Sequence, residues 1–440
     1  MQKKLLAVAV AGALGAPAMA LAQATAGTST VQIFGTIYVE LDRYNNQTTA
    51  AAPGTAGTSP DRVSFDYMRT AGSEIGFKGE EQLGGGMAAW FQCASTADVR
   101  GVAPNQGFCT RNSALGLKGA WGNVYAGKWD TPYKRTYSIG NVGGGESGAF
   151  GTANLLNNGS TEPAQLPPAV PVAGAVTVGA NRGIYARREV NSIFYDSPNF
   201  GGFQVLGHWQ FANASTAITS GNTNTRPRSW GLAGSYSAGP LGAAIFYEKH
   251  QDQGTPAASP VGAGTAVFGS DADDSSYGLS AAYTIGPVKI GGVYKRERYD
   301  VPSSFAAGGG TGTQKVNAWH LGFDWNIVGP HGLRGGYTRA GNVKGTCMST
   351  ACGVAGGIAP LGTTAYQPGM GVRPDAGGGT SASMYQLKYV FAFSKRTEIQ
   401  AGYSRINNSS AAGYNYSDIG GAVSPGRDPS AWVFTMQHKF

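Results

Sequence analysis

The sequence predicts an all-β fold, a transmembrane antiparallel β-barrel of about sixteen strands with short turns at one end and long loops at the other. Three observations carry this. From Trp432 to Phe440 every second residue is large (Trp432, Phe434, Met436, His438, Phe440), with Thr435, Gln437 and Lys439 between them. That is the period of a strand with one greasy and one polar face. About seven tight turns alternate with about eight much longer links, the asymmetry of a barrel that crosses a membrane. The composition favours strands and turns over helices, with 69 Gly, 21 Tyr and a charged fraction of 13%.

In chain order, the first stretch is the one long apolar run. Lys3 and Lys4 precede an apolar segment from Leu5 to Ala16, and small residues end at Ala20-Leu21-Ala22. A basic start, an apolar middle and an A-x-A site read as a cleaved secretory signal over residues 1–22. The mature chain, 23–440, is then expected to be a single barrel. Removing the leader lowers the formal charge from +8 to +6. A mean hydropathy of -0.18 averages two unlike faces, because a barrel shows lipid only every second residue.

The first strand is read from Val31 to Leu41, where Val31, Ile33, Ile37, Val39 and Leu41 alternate with Gln32, Thr36, Tyr38 and Glu40. An open sheet edge is not tolerated in lipid, so the terminal strand is expected to close the barrel against this one. Tight turns follow at Leu83–Gly86, Gly119–Gly122, Pro198–Gly202, Ala238–Gly242, Gly286–Pro287, Val328–Gly332 and Phe393–Lys395. The long links are Tyr44–Thr70, Ala94–Thr110, Thr131–Ala186, Ala212–Pro227, Gln251–Asp274, Tyr299–Gln314, Gly341–Thr380 and Ile406–Asp428. Later strands alternate well: Trp319, Leu321, Phe323 and Trp325 face one way, as do Tyr277, Leu279, Ala281 and Tyr283. Aromatic residues cluster near strand ends, as interface girdles require.

Four cysteines in an exported chain favour disulfides. Pairing Cys93 with Cys109 and Cys347 with Cys352 brackets one polar loop each. The histidines (His208, His250, His320, His331, His438) show no metal spacing and no Ser/His/acid grouping. No enzyme activity, metal or cofactor is therefore expected. Asp271, Asp273 and Asp274 read as a charged loop facing water rather than a calcium site. The basic pI near 9.2 does not point to nucleic acid in a chain bound for export.

The turn Gly76-Phe77-Lys78-Gly79-Glu80-Glu81-Gln82-Leu83-Gly84-Gly85-Gly86-Met87, the run from Val124 to Pro132, the segment from Asn191 to Phe203 and the terminal Phe440 resemble the trimeric general diffusion porins of Gram-negative outer membranes, especially the beta-proteobacterial branch. The resemblance implies a sixteen-stranded homotrimer that passes ions and small hydrophilic solutes, set in outer-membrane lipid and lipopolysaccharide. Its third external loop, here 131–186, would fold into the lumen and narrow the pore between acidic loop groups and a basic wall. The acidic set is then Glu146 and Glu162, with Glu74 standing where family members often carry Arg. The basic set is Lys78, Lys128, Lys134, Arg135, Arg187 and Arg188. Lys128 occupies a common Arg position, and Gly127 beside it is suited to a bulge that re-aims it. Trp432 and Phe440 match the terminal assembly signal. With a basic excess, moderate anion selectivity is expected. Two rival readings are a substrate-specific channel and a barrel adhesin or assembly protein.

Overall fold

The computed structural model describes residues 30–46, 63–70, 72–101, 107–145, 148–156, 185–211, 228–251, 273–301, 312–342, 344–345, 379–410, 412–416 and 426–440. The leader and its cleavage site, Glu146, Glu162, Asp271, Cys347 and Cys352 lie outside the described residues. One 18-membered sheet contains every strand segment. Two pairs of segments share a neighbour and form single staves, so the barrel has sixteen. They are β1 (Thr30–Asn46), β2 (Val63–Arg69 continued by Glu74–Gly84), β3 (Met87–Thr96), β4 (Ser113–Gly119), β5 (Gly122–Asp130), β6 (Arg188–Asp196), β7 (Phe203–Gln210) and β8 (Arg228–Ala238). The second half comprises β9 (Leu241–Gln251), β10 (Asp274–Ile285), β11 (Val288–Val301), β12 (Gly312–Val328), β13 (His331–Ala340 continued by Lys344–Gly345), β14 (Ala382–Ala392), β15 (Thr397–Asn408) and β16 (Ser430–Lys439).

Neighbours in sequence are neighbours in space, and all pairs are antiparallel. All seven tight turns stand where the sequence places them; the first uses Gly84, Gly85 and Gly86 at φ of 85°, 60° and 76°, which side-chain-bearing residues rarely adopt. Closure is between β16 and β1, in register from Thr36 opposite Lys439 to Asn45 opposite Ser430. The two faces follow the predicted parity. Leu321, Leu279 and Trp432 are 60%, 52% and 64% exposed on the outside, while Ser280, Thr435 and His320 are buried inside.

The links are shorter than predicted in places. Val63–Arg69 is a strand inside the expected first link, and its pattern is inverted: Ser64, Asp66 and Met68 are exposed while Phe65 and Tyr67 pack inward. Beyond the hydrocarbon the outer face meets water, so the greasy residues turn in, and Phe65 lies 5.5 Å from Tyr44. Parity changes across Thr70–Ser73, where the Ser73 hydroxyl takes over the ladder by accepting from Tyr38 N and donating to Tyr38 O, both at 2.9 Å. Cys93 is bonded to Cys109, tying the second external loop to β3. In that loop the Arg100 guanidinium holds the Asp98 carboxyl down at about 2. Because the folded value lies below the usual carboxylate one, this lock stabilises above the unfolded value and is lost only as pH falls through about 2.

The seam also explains the last residue. Phe440 exchanges two backbone hydrogen bonds with Gly35, at 3.1 and 3.2 Å, and its ring occupies the space a Cβ on Gly35 would need, with Cζ 2.5 Å from that point. Deleting Phe440 is expected to cut the yield of heat-modifiable folded barrel severalfold, and Gly35→Val, which expels the ring, is expected to do the same. Normal yield from both variants sinks this account of the seam.

Candidate functional site: a strap along the inner wall

After β5 the chain enters the barrel. Thr131 caps a helix that the sequence reading missed, α1 (Pro132–Gly140), accepting from Lys134 N at 3.2 Å with Pro132 at its first position. Thr-Pro is a legible helix start, obscured here by a loop otherwise rich in Gly and Pro. Its inner face docks on β9, β10 and β11. Tyr133 packs 4.4 Å from Phe246 and shares a 2.8 Å hydrogen bond with Ser276; Ser280 donates to Thr136 O at 2.6 Å.

From there the backbone itself lies on the wall. A Cβ on Gly140 would stand 2.0 Å from Gly292 O, and one on Gly143 (φ 72°) 2.1 Å from Gly335 O; on the wall side, a Cβ on Gly322 would stand 2.0 Å from Val142 O. Glycine on both surfaces permits this approach. His320 clamps it: Nε2 donates to Val142 O at 2.8 Å and Nδ1 accepts from the Thr338 hydroxyl at 2.9 Å, which sets the tautomer. Gln386 reaches Gly143 O at 3.4 Å and Ser404 donates to Ala149 O at 2.6 Å. Next to Gly148, Glu40 and Arg69 form a buried ion pair at 3.0 Å. A second short helix, α2 (Ala153–Leu156), is wholly buried. The described part of the strap thus lines the interior from β8 round to β2, and meets the β3 to β5 face only where Lys134 and Arg135 of α1 reach Asp130 and Tyr125 on β5.

The cations named from the sequence are distributed as follows. Lys78 has inward parity and is exposed in the lumen, its Nζ 5.4 Å from the Phe34 ring centre; among the described residues no carboxylate pairs with it. Lys134 (3.0 Å) and Arg188 (3.4 Å) share the single carboxylate of Asp130. Arg135 makes a two-pronged contact with Asp196 at 2.8 and 2.9 Å and reaches Tyr125 Oη at 2.9 Å. Arg187 is buried against Glu189 at 2.6 Å. Lys128 donates to Thr110 O, and its register partner Ser113 shares the parity of the outward Leu115 and Leu117. The register shift lies beside Gly127, which has φ 147°, and leaves Lys128 on that outward parity. Glu74 pairs with Arg111 at 2.7 Å. Further in, Lys118 pairs with Glu80 at 2.5 Å.

Sequence spacing gave no sign of these carboxylate partners, nor of an aromatic trio, Trp90, Tyr125 and Trp129, with centroids 5.3 to 5.6 Å apart beside Arg135. It also missed that Glu189, His208 and Glu248 converge, their ligand atoms within 4.8 Å of one another. There the Arg187 guanidinium already supplies the positive charge that a metal would bring to Glu189.

A closed barrel with an apolar exterior, a polar lumen and an external loop strapped inside its wall defines a pore-forming outer-membrane barrel. A family model described as Gram-negative porin matches residues 6–411, and the chain belongs to the Gram-negative porin family. Among curated proteins it is 31% identical over 201 residues to major outer membrane protein P.IB of Neisseria gonorrhoeae, covering 45% of this chain and 47% of that one. It is 29% identical over 223 residues to P.IB of Neisseria lactamica, covering 51% and 53%. The chain spans about half the length of the curated relatives it matches. Among solved structures the anion-selective porin from Comamonas acidovorans superposes with a TM-score of 0.63 at 20% identity, over 94% of this chain and 100% of that one. OmpT of Vibrio cholerae does so at 0.60 and 13%, over 96% and 100%. At these identities the likeness is one of fold.

Proposed function

We propose that the protein is a homotrimeric outer-membrane channel for passive diffusion of ions and small hydrophilic solutes, moderately anion-selective, seated among outer-membrane lipid and lipopolysaccharide. The observation that carries this reading is the strap, since a loop bonded to the inner wall narrows a lumen without closing it. Selectivity rests on the cations of this wall: Lys78 is exposed and pairs with no carboxylate among the described residues, and Lys134 and Arg188 both stand beside Asp130. The anion-selective porin of Comamonas supports the same direction by its fold likeness. Glu146 and Glu162 would face this basic wall, and a Cys347–Cys352 bond would brace the seventh external link. No catalytic group enters the reading.

The aromatic trio favours a second reading, a substrate-specific channel in which stacked rings and Arg135 hold a solute. Planar-bilayer conductance decides between them. Current that rises linearly with salt and is not blocked by sugars or organic acids supports general diffusion. Saturation or solute block at low concentration replaces it with the specific channel, and no conductance at all removes both.

A further inference from the structure

Behind the two roots of the strap, on the inner wall of β6, β7 and β9, ligand atoms of Glu189, His208 and Glu248 lie within 4.8 Å of one another. The three residues are 4%, 6% and 0% exposed. The strap leaves β5 at Thr131 and rejoins the wall at Arg187, where Thr131 N donates to Arg187 O at 3.1 Å, so the cluster sits where the loop is anchored. Register brings it together. Gly231 on β8 is the partner of His208 on one side and of Glu248 on the other. Its missing side chain lets the imidazole lie across the stave, since a Cβ on Gly231 would stand 2.8 Å from His208 Cε1 and 3.0 Å from Nδ1.

The hydrogen bonds around the cluster leave two buried acceptors without a donor. His208 Nε2 donates to the Ser229 hydroxyl at 3.3 Å, which leaves a lone pair on Nδ1, and that atom has no partner. His250 Nε2 donates to Glu248 Oε1 at 2.8 Å, and the His250 ring is itself held by Tyr185, stacked 4.6 Å away. Glu248 Oε2 has no partner either; the Thr131 hydroxyl nearby donates to Tyr185 O at 3.4 Å instead. Two acceptors cannot satisfy each other, and burying both unpaired is costly. Charge points the same way. Arg187 meets Glu189 Oε2 at 2.6 Å and the Gln210 amide takes Oε1, so one guanidinium stands against two carboxylates. Among the described residues no lysine or arginine lies at ion-pair distance from Glu248, whose charged contact is His250.

A water molecule would donate to both acceptors, whereas a cation would bond to both and also cancel the surplus charge. We propose that Glu189, His208 and Glu248 form a site for a divalent transition cation of the zinc class. The ion bonds His208 Nδ1 and Glu248 Oε2, and Glu189 turns Oε1 from Gln210 to the ion while Arg187 keeps Oε2. One imidazole with two carboxylates suits zinc better than calcium or magnesium, which take oxygen ligands. Zinc bonds nitrogen and oxygen at about 2.0–2.2 Å, so it joins atoms up to about 4 Å apart, and small side-chain shifts close the three ligands on it. His250 is a positioning residue that holds the Glu248 carboxylate with Oε2 toward the ion. A bound ion ties three staves together behind the anchor of the strap.

The test is metal analysis of the refolded, untagged full chain in detergent, stripped with a chelator, loaded with zinc and desalted. Zinc is counted per folded chain, and affinity is taken by competition with a chromophoric chelator. Wild type is expected to keep one zinc per chain and to unfold at a higher temperature when loaded. His250→Phe, which removes only the support of Glu248, is expected to weaken binding about 10- to 100-fold, and H208Q and E248Q to weaken it further. H438Q, which alters an exposed histidine on β16, is expected to bind as wild type does. Zinc-edge X-ray absorption of the loaded wild type, which needs no variant to fold, is expected to show one imidazole among oxygen donors. A folded wild type that retains no zinc overturns the proposal and leaves the gap to water. A shell of two or more imidazoles, or binding lost in H438Q and kept in H208Q and E248Q, assigns the zinc to surface histidines and overturns it as well. None of these readouts is a conductance, so the result stands apart from the channel reading.

Discussion

Replacing Gly140 and Gly143 together by valine is expected to raise single-channel conductance about twofold, as the strap lifts and the open section widens, while the yield of folded barrel stays normal. Both positions belong to the strap and not to a stave, so the sheet that closes the barrel is untouched. The new side chains have nowhere to go: their Cβ atoms would fall 2.0 Å from Gly292 O and 2.1 Å from Gly335 O, and Gly143 has φ 72°. Overpacking costs about 1–3 kcal/mol per site, and a left-handed conformation about 1–2 more for a side-chain-bearing residue. Against this stand the hydrogen bonds that the middle of the strap would lose, from His320 and Gln386, each worth about 1 kcal/mol net. The clash wins locally. The ends are held separately, by Tyr133 against Phe246 and by Ser404 to Ala149 O, so the middle bows out while the ends stay. Unchanged conductance in a folded barrel would show that the strap does not set the width of the pore.

The second large effect concerns charge. Glu74→Arg is expected to increase anion preference, and Arg188→Glu to abolish or reverse it, read as reversal potentials across a salt gradient. Glu74 neutralises Arg111. Replacing it removes one negative charge and adds one positive, a change of two charges of one sign that also takes Arg111 out of its ion pair. Arg188→Glu replaces a cation beside Asp130 with a carboxylate, a change of two charges of the opposite sign. A unit charge at 4 Å is worth about 1 kcal/mol in bulk water and about 4 at an effective dielectric near 20; about 1.4 kcal/mol is already tenfold in relative entry. Even an effect near the lower limit is therefore measurable, and it is expected to shrink at high salt as screening shortens the reach of the field. A cation-selective wild type, or potentials indifferent to both changes, would remove the basic wall from the account of selectivity.

Within the membrane the sequence alone determined the staves, the face each presents to lipid, all seven tight turns and the closing of β16 on β1. The reason is local: a period of two is imposed by lipid on one side and water on the other, and each tight turn is written in the residues that make it. Outside the hydrocarbon that rule lapses, which is why Phe65 and Tyr67 point inward unforeseen. The loop that enters the lumen was legible from its length and its resemblance. Its helix and its path were not, because the path depends on which wall glycines and hydrogen-bond donors come opposite it once sixteen staves have closed. Charge was hardest to read. Among the described residues Lys78 lies exposed in the lumen with no carboxylate to meet it, whereas Arg135 finds Asp196 sixty-one positions away. Such pairings are set by the register between staves and the route of the strap, so only the tertiary structure decided which charges face the pore unbalanced.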